Sequence, residues 1–252
     1  MPKFAANLSM LFNEHAFSDR FKAAADAGFR FVEYQYPYEL DKGEVGRTLS
    51  ANGLRAVLHN LPVAARVACD PARIADFRSG VALAIEYATA ANCAQLNCLA
   101  GNVPEGIDQA TARSTLIENL RYAAAATRRT GIRLLIEPIN TRDVPGFYLN
   151  RTSQAVELIE AVGSDNLFVQ YDVYHMQIME GDLARTIEAN LAKIAHIQVS
   201  DNPGRHEPGT GEINFPFLFE FLDRIGYQGY VGAEYRPAAG TVEGLGWVRP
   251  YL

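Results

Sequence analysis

The chain has 252 residues, 48% of them hydrophobic and 21% charged, which suits a globular protein with a sizeable core. A net charge of −6 with no Lys/Arg run leaves no nucleic-acid footprint. Three cysteines without a CxxC pair fit reduced thiols in a cytoplasmic protein, no signal-peptide layout opens the chain, and no apolar run approaches the roughly 20 residues that span a membrane.

Short apolar or β-branched runs alternate with longer helical patterns. KFAANLSM predicts a strand over 3–10, and DRFKAAADAG then gives an amphipathic helix ending at Gly28. FRFVEYQ (29–35) and LRAVLHNL (54–61, after Gly53) predict the next two strands. ADFRSGVALAIEYATAA precedes AQLNCLAG (94–101). ATARSTLIENLRYAAAATRRTG runs to Gly131 and leads into IRLLIEPI (132–139). LFVQYDV (167–173) follows Gly163, IAHIQVS covers 194–200, and YVGAEYR (230–236) follows Gly226. Apolar residues at helical spacing that stop at glycine are helix-and-stop signals.

Eight strands alternating with helices, at roughly 30 residues per unit, predict a single (β/α)8 TIM barrel over 1–252. A doubly wound open sheet would carry a glycine-rich phosphate loop after its first strand. That place holds NLSMLFNEHAF, without glycine.

A barrel gathers its chemistry at the C-terminal ends of its strands. Strand 5 ends an apolar run on Glu137, and a buried charge there needs a partner. Strand 6 offers Asp172, with His175 in the loop beyond. Strand 7 offers Gln198 and then Asp201, and strand 8 offers Glu234 and then Arg236. The early strands offer Asn7, Glu33, Gln35 and His59. Three carboxylates at one mouth force protonation unless a counter-charge joins them. A divalent cation supplies one. With the Gln198 amide oxygen the set is all oxygen, which suits Mg²⁺ or Mn²⁺ over Zn²⁺.

Each residue also has a plainer reading. Glu137 can pair with an Arg, Asp172 can cap a helix, Gln198 can be a core amide and Glu234 can bridge to Arg236. The joint pattern on strands 5 to 8 outweighs these. His196 reads as a core histidine and His15 as a surface residue.

FAANLSMLF, HNLP, LNCLAG, LLIEPIN, VPGFYL, QYDVYHMQIMEG, HIQVSDNPGRHEPGTGEINF and AEYRP together resemble the hydroxypyruvate isomerase family, one of the xylose-isomerase-like barrels. The resemblance runs from residue 4 to about 249. It implies a metal held by Glu137, Asp172, Gln198 and Glu234, with Glu137 and Glu234 as the proton-transfer pair. The related ketose 3-epimerases usually carry His where Gln198 stands, which sides this chain with the isomerases. Two departures stand out. The loop after HNLP is shorter than in relatives, and Asn102 stands where many carry Lys.

The expected reaction is isomerisation of a small keto acid, hydroxypyruvate to tartronate semialdehyde, through an enediolate. Arg205 is the first candidate for the substrate carboxylate, and His175 for a donor to the reacting oxygens. His59 and His206 are further candidates, and Phe12, Tyr36 and Trp247 candidate walls. The alternatives are a 2-oxo-tetronate isomerase, a ketose 3-epimerase and a non-catalytic metal-dependent sugar-acid binding protein. An abasic-site endonuclease on the same barrel would need more histidine ligands and a basic surface. The apolar stretch FPFLFEFL (215–222) raises the expectation of a homo-oligomer.

Overall fold

The computed structural model describes residues 2–63 and 66–252. Its strands are β1 (Lys3–Asn7), β2 (Phe31–Tyr34), β3 (Arg55–Asn60), β4 (Gln95–Cys98), β5 (Arg133–Ile136), β6 (Leu167–Asp172), β7 (Ile194–Val199) and β8 (Tyr230–Ala233). They pair in parallel, in sequence order, and β8 returns to β1 to close a barrel. All eight runs predicted from the sequence are strands. Each ends one to three residues before its run, and β2, β3, β4 and β5 also begin one or two residues later.

Helices α1 (Phe17–Asp26), α2 (Lys42–Ala51), α3 (Ile74–Ala90), α4 (Gln109–Arg128) and α5 (Thr152–Val162) follow the first five strands. Two short helices, α6 (Val173–Met179) and α7 (Leu183–Ala189), follow β6, and α8 (Phe215–Arg224) follows β7. After β8 come two 3₁₀ turns, Glu243–Trp247 and Arg249–Tyr251. The glycines expected to stop helices, Gly28, Gly53, Gly131, Gly163 and Gly226, all have positive φ. That left-handed turn is what reverses the chain from helix to strand.

Parallel strands are covered on both faces, so β7 is buried at every residue. The main core lies between strands and helices. Inside the barrel, Ala5, Val57 and Leu135 meet half-buried Phe31, Phe168 and Tyr230 near the strand starts. Side chains alternate with period two. Two residues along the same inward faces therefore stand Asn7, Glu33, Glu137, Gln170 and Gly232, and two further Gln35, Asp172 and Glu234. The apolar floor gives way to a polar interior and then to carboxylates. At Gly232 a Cβ would collide with the Glu33 carboxylate, so only glycine leaves room for it.

In α8, Phe215, Leu218, Phe219, Phe221 and Leu222 are buried and Phe217 is exposed. Most of the apolar stretch at 215–222 thus covers the barrel. Among the described residues no helix is long and apolar enough to cross a membrane.

Candidate active site

Glu137 follows β5 directly, Asp172 ends β6, and Glu234 follows β8. All three are buried. Asp172 has two tasks: Oδ1 accepts from the Tyr174 backbone N–H at 2.9 Å, capping α6, while Oδ2 is buried without a hydrogen bond. His175, one turn into α6, places Nε2 3.4 Å from Asp172 Oδ2 and 3.9 Å from Glu137 Oε1. Ligand atoms of Glu137, Asp172 and His175 lie within 4.8 Å of one another.

Amides orient the carboxylates. Asn97 Nδ2 donates to Glu137 Oε2 at 2.8 Å. Glu234 Oε1 accepts from Gln35 Nε2 at 2.9 Å and from Asn7 Nδ2 at 3.2 Å. Gln198 donates through Nε2 to Glu33 Oε1 at 2.7 Å and accepts at Oε1 from Gln170 Nε2 at 2.5 Å. The Glu33 carboxylate fixes which end of the Gln198 amide is oxygen, and that oxygen keeps a second lone pair. His196 is buried and binds Glu33 Oε2 through Nε2 at 2.6 Å, in the core role expected of it.

Arg205 comes from the loop after β7, its φ of 55° in the left-handed region. Nη2 donates to Glu234 Oε2 at 2.9 Å, and the guanidinium lies 5.0 Å over the Tyr174 ring. Asp201 holds this loop together. Its Oδ2 accepts from the backbone N–H groups of Gly209 and Gly211, each at 2.8 Å, and its Oδ1 from those of Asn202 and Ile213 at 3.0 and 3.1 Å. His206 Nδ1 binds the Arg236 carbonyl at 2.8 Å, and the Arg236 N–H donates to the Arg205 carbonyl at 2.8 Å. His206 therefore ties the Arg205 loop to the end of β8.

The other candidates lie elsewhere. His59 is buried, stacked on Tyr34 at 5.9 Å, with Nδ1 3.0 Å from the Asn60 carbonyl and 3.3 Å from the Tyr38 hydroxyl. Trp247 packs with Phe4 and Phe219. Phe12 is buried in the core. Burial raises the Tyr36 hydroxyl pKa, opposed by Arg66 and a side-chain hydrogen bond with Asn60, and the Glu137 and Glu234 charges raise it further. Asn102 ties its loop to the next by donating to the Pro145 carbonyl at 2.8 Å. The short loop after β3 includes residues 64 and 65, which lie outside the described residues.

Burial pushes the Glu137 carboxyl well above its ordinary range, and the Glu234 and Asp172 charges add to this. Burial likewise raises Asp172 and Glu234, with Arg205 opposing in both. His175 is held down at about 3 by burial and then by Arg205, so its ring is neutral. Crowded buried carboxylates with an orphaned Asp172 oxygen match the donor set of a hard divalent cation. Asn97, Asn140 and Gln170 are site residues that sequence reasoning passed over. Asn97 and Asn140 lay inside the motifs LNCLAG and LLIEPIN.

Residues 21–251 match the xylose isomerase-like TIM barrel family. The chain is 49% identical to a protein named 2-oxo-tetronate isomerase from Cupriavidus necator, covering 100% of this chain and 99% of that one. It is also 49% identical to the hydroxypyruvate isomerase of Escherichia coli, covering 100% of both. A solved structure described as AP endonuclease, family 2, from Brucella melitensis superposes with a TM-score of 0.97 at 43% identity, covering 100% of this chain and 99% of that one. The two named relatives and the solved structure match along the full length of this chain, and the chain belongs to the xylose isomerase-like TIM barrels and, within them, to the hydroxypyruvate isomerase family.

Proposed function

We propose that this protein is a divalent-metal-dependent isomerase of small 2-keto acids that converts hydroxypyruvate to tartronate semialdehyde. The observation that carries the reading is the convergence of buried Glu137, Asp172 and Glu234 on one barrel mouth beside Arg205. Glu137, Asp172, Glu234 and the Gln198 amide oxygen would hold Mg²⁺ or Mn²⁺. When bound, the ion acts as a Lewis acid that stabilises negative charge on the substrate oxygens.

The chain's own groups account for the proton movements. The carbon-bound proton leaves C3 and a proton is returned to C2, while the hydroxyl proton passes from O3 to O2. Glu137 and Glu234 are the carboxylates assigned to the two carbon positions. His175 donates through Nε2 to a reacting oxygen. Arg205 receives the substrate carboxylate, exchanging part of its pairing with Glu234. His206 supports Arg205 through the β8 end, and His59 contributes through packing.

The named relatives divide between hydroxypyruvate and 2-oxo-tetronate. The second acid carries a hydroxymethyl group in place of one C3 hydrogen and undergoes the same shift, so it is the second reading. A panel of small keto acids and ketoses, assayed with Mg²⁺ and Mn²⁺, tests both. Absence of turnover on every 2-keto acid would remove the proposal. A nuclease is disfavoured by the net charge of −6 and by a cluster with a single histidine among the described residues. The three buried free cysteines fit a cytoplasmic setting. A homo-oligomer through α8 would use Phe217, and light scattering at micromolar concentration decides it.

A further inference from the structure

A neutral imidazole carries one N–H, and its place decides what the ring offers the site. A proton on the nitrogen facing the carboxylates makes His175 a hydrogen-bond donor. A bare nitrogen there makes it a metal ligand. Hydrogen positions follow from the partners, and His175 has an informative one.

Its outward nitrogen, Nδ1, lies 2.6 Å from Asn140 Nδ2. An amide nitrogen only donates, so Nδ1 accepts if Asn140 is held in this orientation. Asp143 holds it. The Asp143 backbone N–H donates to Asn140 Oδ1 at 2.7 Å, and Asn140 Nδ2 donates to Asp143 Oδ2 at 3.1 Å. Turning the amide over would set N–H against N–H and oxygen against carboxylate. Asn140 is fully buried, so its own amide has no water to turn to, although the Asp143 carboxylate reaches the surface.

We propose that Asn140, oriented by Asp143, is a positioning residue that fixes His175 as the Nε2–H tautomer. His175 then donates to a substrate oxygen and is excluded from the metal set, although its ring lies beside Glu137 and Asp172. This rests on the functional reading above for its consequence, but not for the tautomer itself. The same proton favours oxygen-only ligation. A bare Nε2 at this place would add an imidazole ligand and shift preference toward Zn²⁺.

The test is ¹⁵N-histidine NMR of the metal-free protein, using two-bond ring correlations. The parent should show His175 protonated at Nε2 and bare at Nδ1. The double variant Asn140→Asp/Asp143→Asn keeps net charge and reverses the chain of donors. The carboxylate at position 140 would accept from the same backbone N–H, from the new amide at 143, and from Nδ1–H. The proton should move to Nδ1. Calorimetry should then show Zn²⁺ bound at least tenfold more tightly relative to Mg²⁺, and kcat should fall by about 10²-fold, as for loss of an oxyanion donor. A parent protonated at Nδ1 overturns the proposal, and so does a folded double variant that keeps Nε2–H. If that variant fails to fold, the parent spectrum decides alone. A parent with the expected tautomer that turns over no keto acid counts against the functional reading only.

Discussion

Arg205 and Glu234 meet at 2.9 Å at the barrel mouth, joining the loop after β7 to the end of the neighbouring β8. The same guanidinium nitrogen lies 3.7 Å from Asp172 Oδ2. One half-buried cation thus partly balances two carboxylates, and the proposed function gives it the substrate carboxylate to bind. Arg205→Met should raise KM for the keto acid. A charge-assisted bond contributes about 1.5–3 kcal/mol, or about 10- to 100-fold. Steady-state kinetics check this. A KM within threefold of the parent would move carboxylate recognition to another group.

Chelation should abolish activity, with Mg²⁺ or Mn²⁺ restoring it. At a hundredfold excess over Kd the ion should stabilise the fold by about 2.7 kcal/mol. For a chain of this size that is a Tm rise of roughly 5–10 °C. Asp172→Asn should remove most of the rise while leaving α6 capped, because Asn caps a helix as Asp does. Full activity after exhaustive dialysis against EDTA would refute the metal requirement.

Glu137→Gln and Glu234→Gln should each lower turnover by at least about 10²-fold, the lower range for loss of a general base. They should differ in D₂O. The variant that retains the base next to C3 should wash deuterium into recovered hydroxypyruvate without forming product, and the other should do neither. Turnover within a few-fold of the parent, with metal bound, would release that glutamate from its role.

The eight strands were legible because each is a compact apolar run set off by glycine or a helical pattern. Their ends were less legible. The run at 94–101 stops as a strand at Cys98, because the residues beyond it leave the ladder. The acids of the site were legible too, since a carboxylate closing an apolar run announces itself. Of the amides, Asn7, Gln35 and Gln198 were legible as strand-end residues, but their partners were not, and Asn97, Asn140 and Gln170 were passed over. Asn7 reaches Glu234 across 227 positions of sequence, and no local pattern encodes such a pair. Asn140 lay three residues beyond Glu137 but reads as an ordinary turn residue until His175 is placed beside it. Trp247 looked like a pocket wall, yet it seals the 3₁₀ turns against Phe4 and Phe219.

His59 should leave a mark on acid stability. Burial holds its pKa at about 4, against an ordinary 6.5. Above pH 6.5 neither folded nor unfolded chain binds this proton, and stability is whole. As pH falls from 6.5 toward 4 the unfolded chain takes the proton and the folded one refuses it, so stability is lost. One proton corresponds to about 1.4 kcal/mol per pH unit. His59→Phe keeps an aromatic ring against Tyr34 and should flatten the slope of unfolding free energy by about that amount. Denaturant titrations at several pH values measure it, and an unchanged slope would mean that His59 titrates normally.

The four backbone N–H groups gathered by Asp201 have a kinetic meaning. The loop that carries Arg205 is shaped when the chain folds, not when the ligand arrives. With Arg205 in the role proposed above, an incoming keto acid would have little backbone left to organise. Association should then be limited by diffusion and by release of the waters around the guanidinium, with a rate that depends on ionic strength more than on a conformational step.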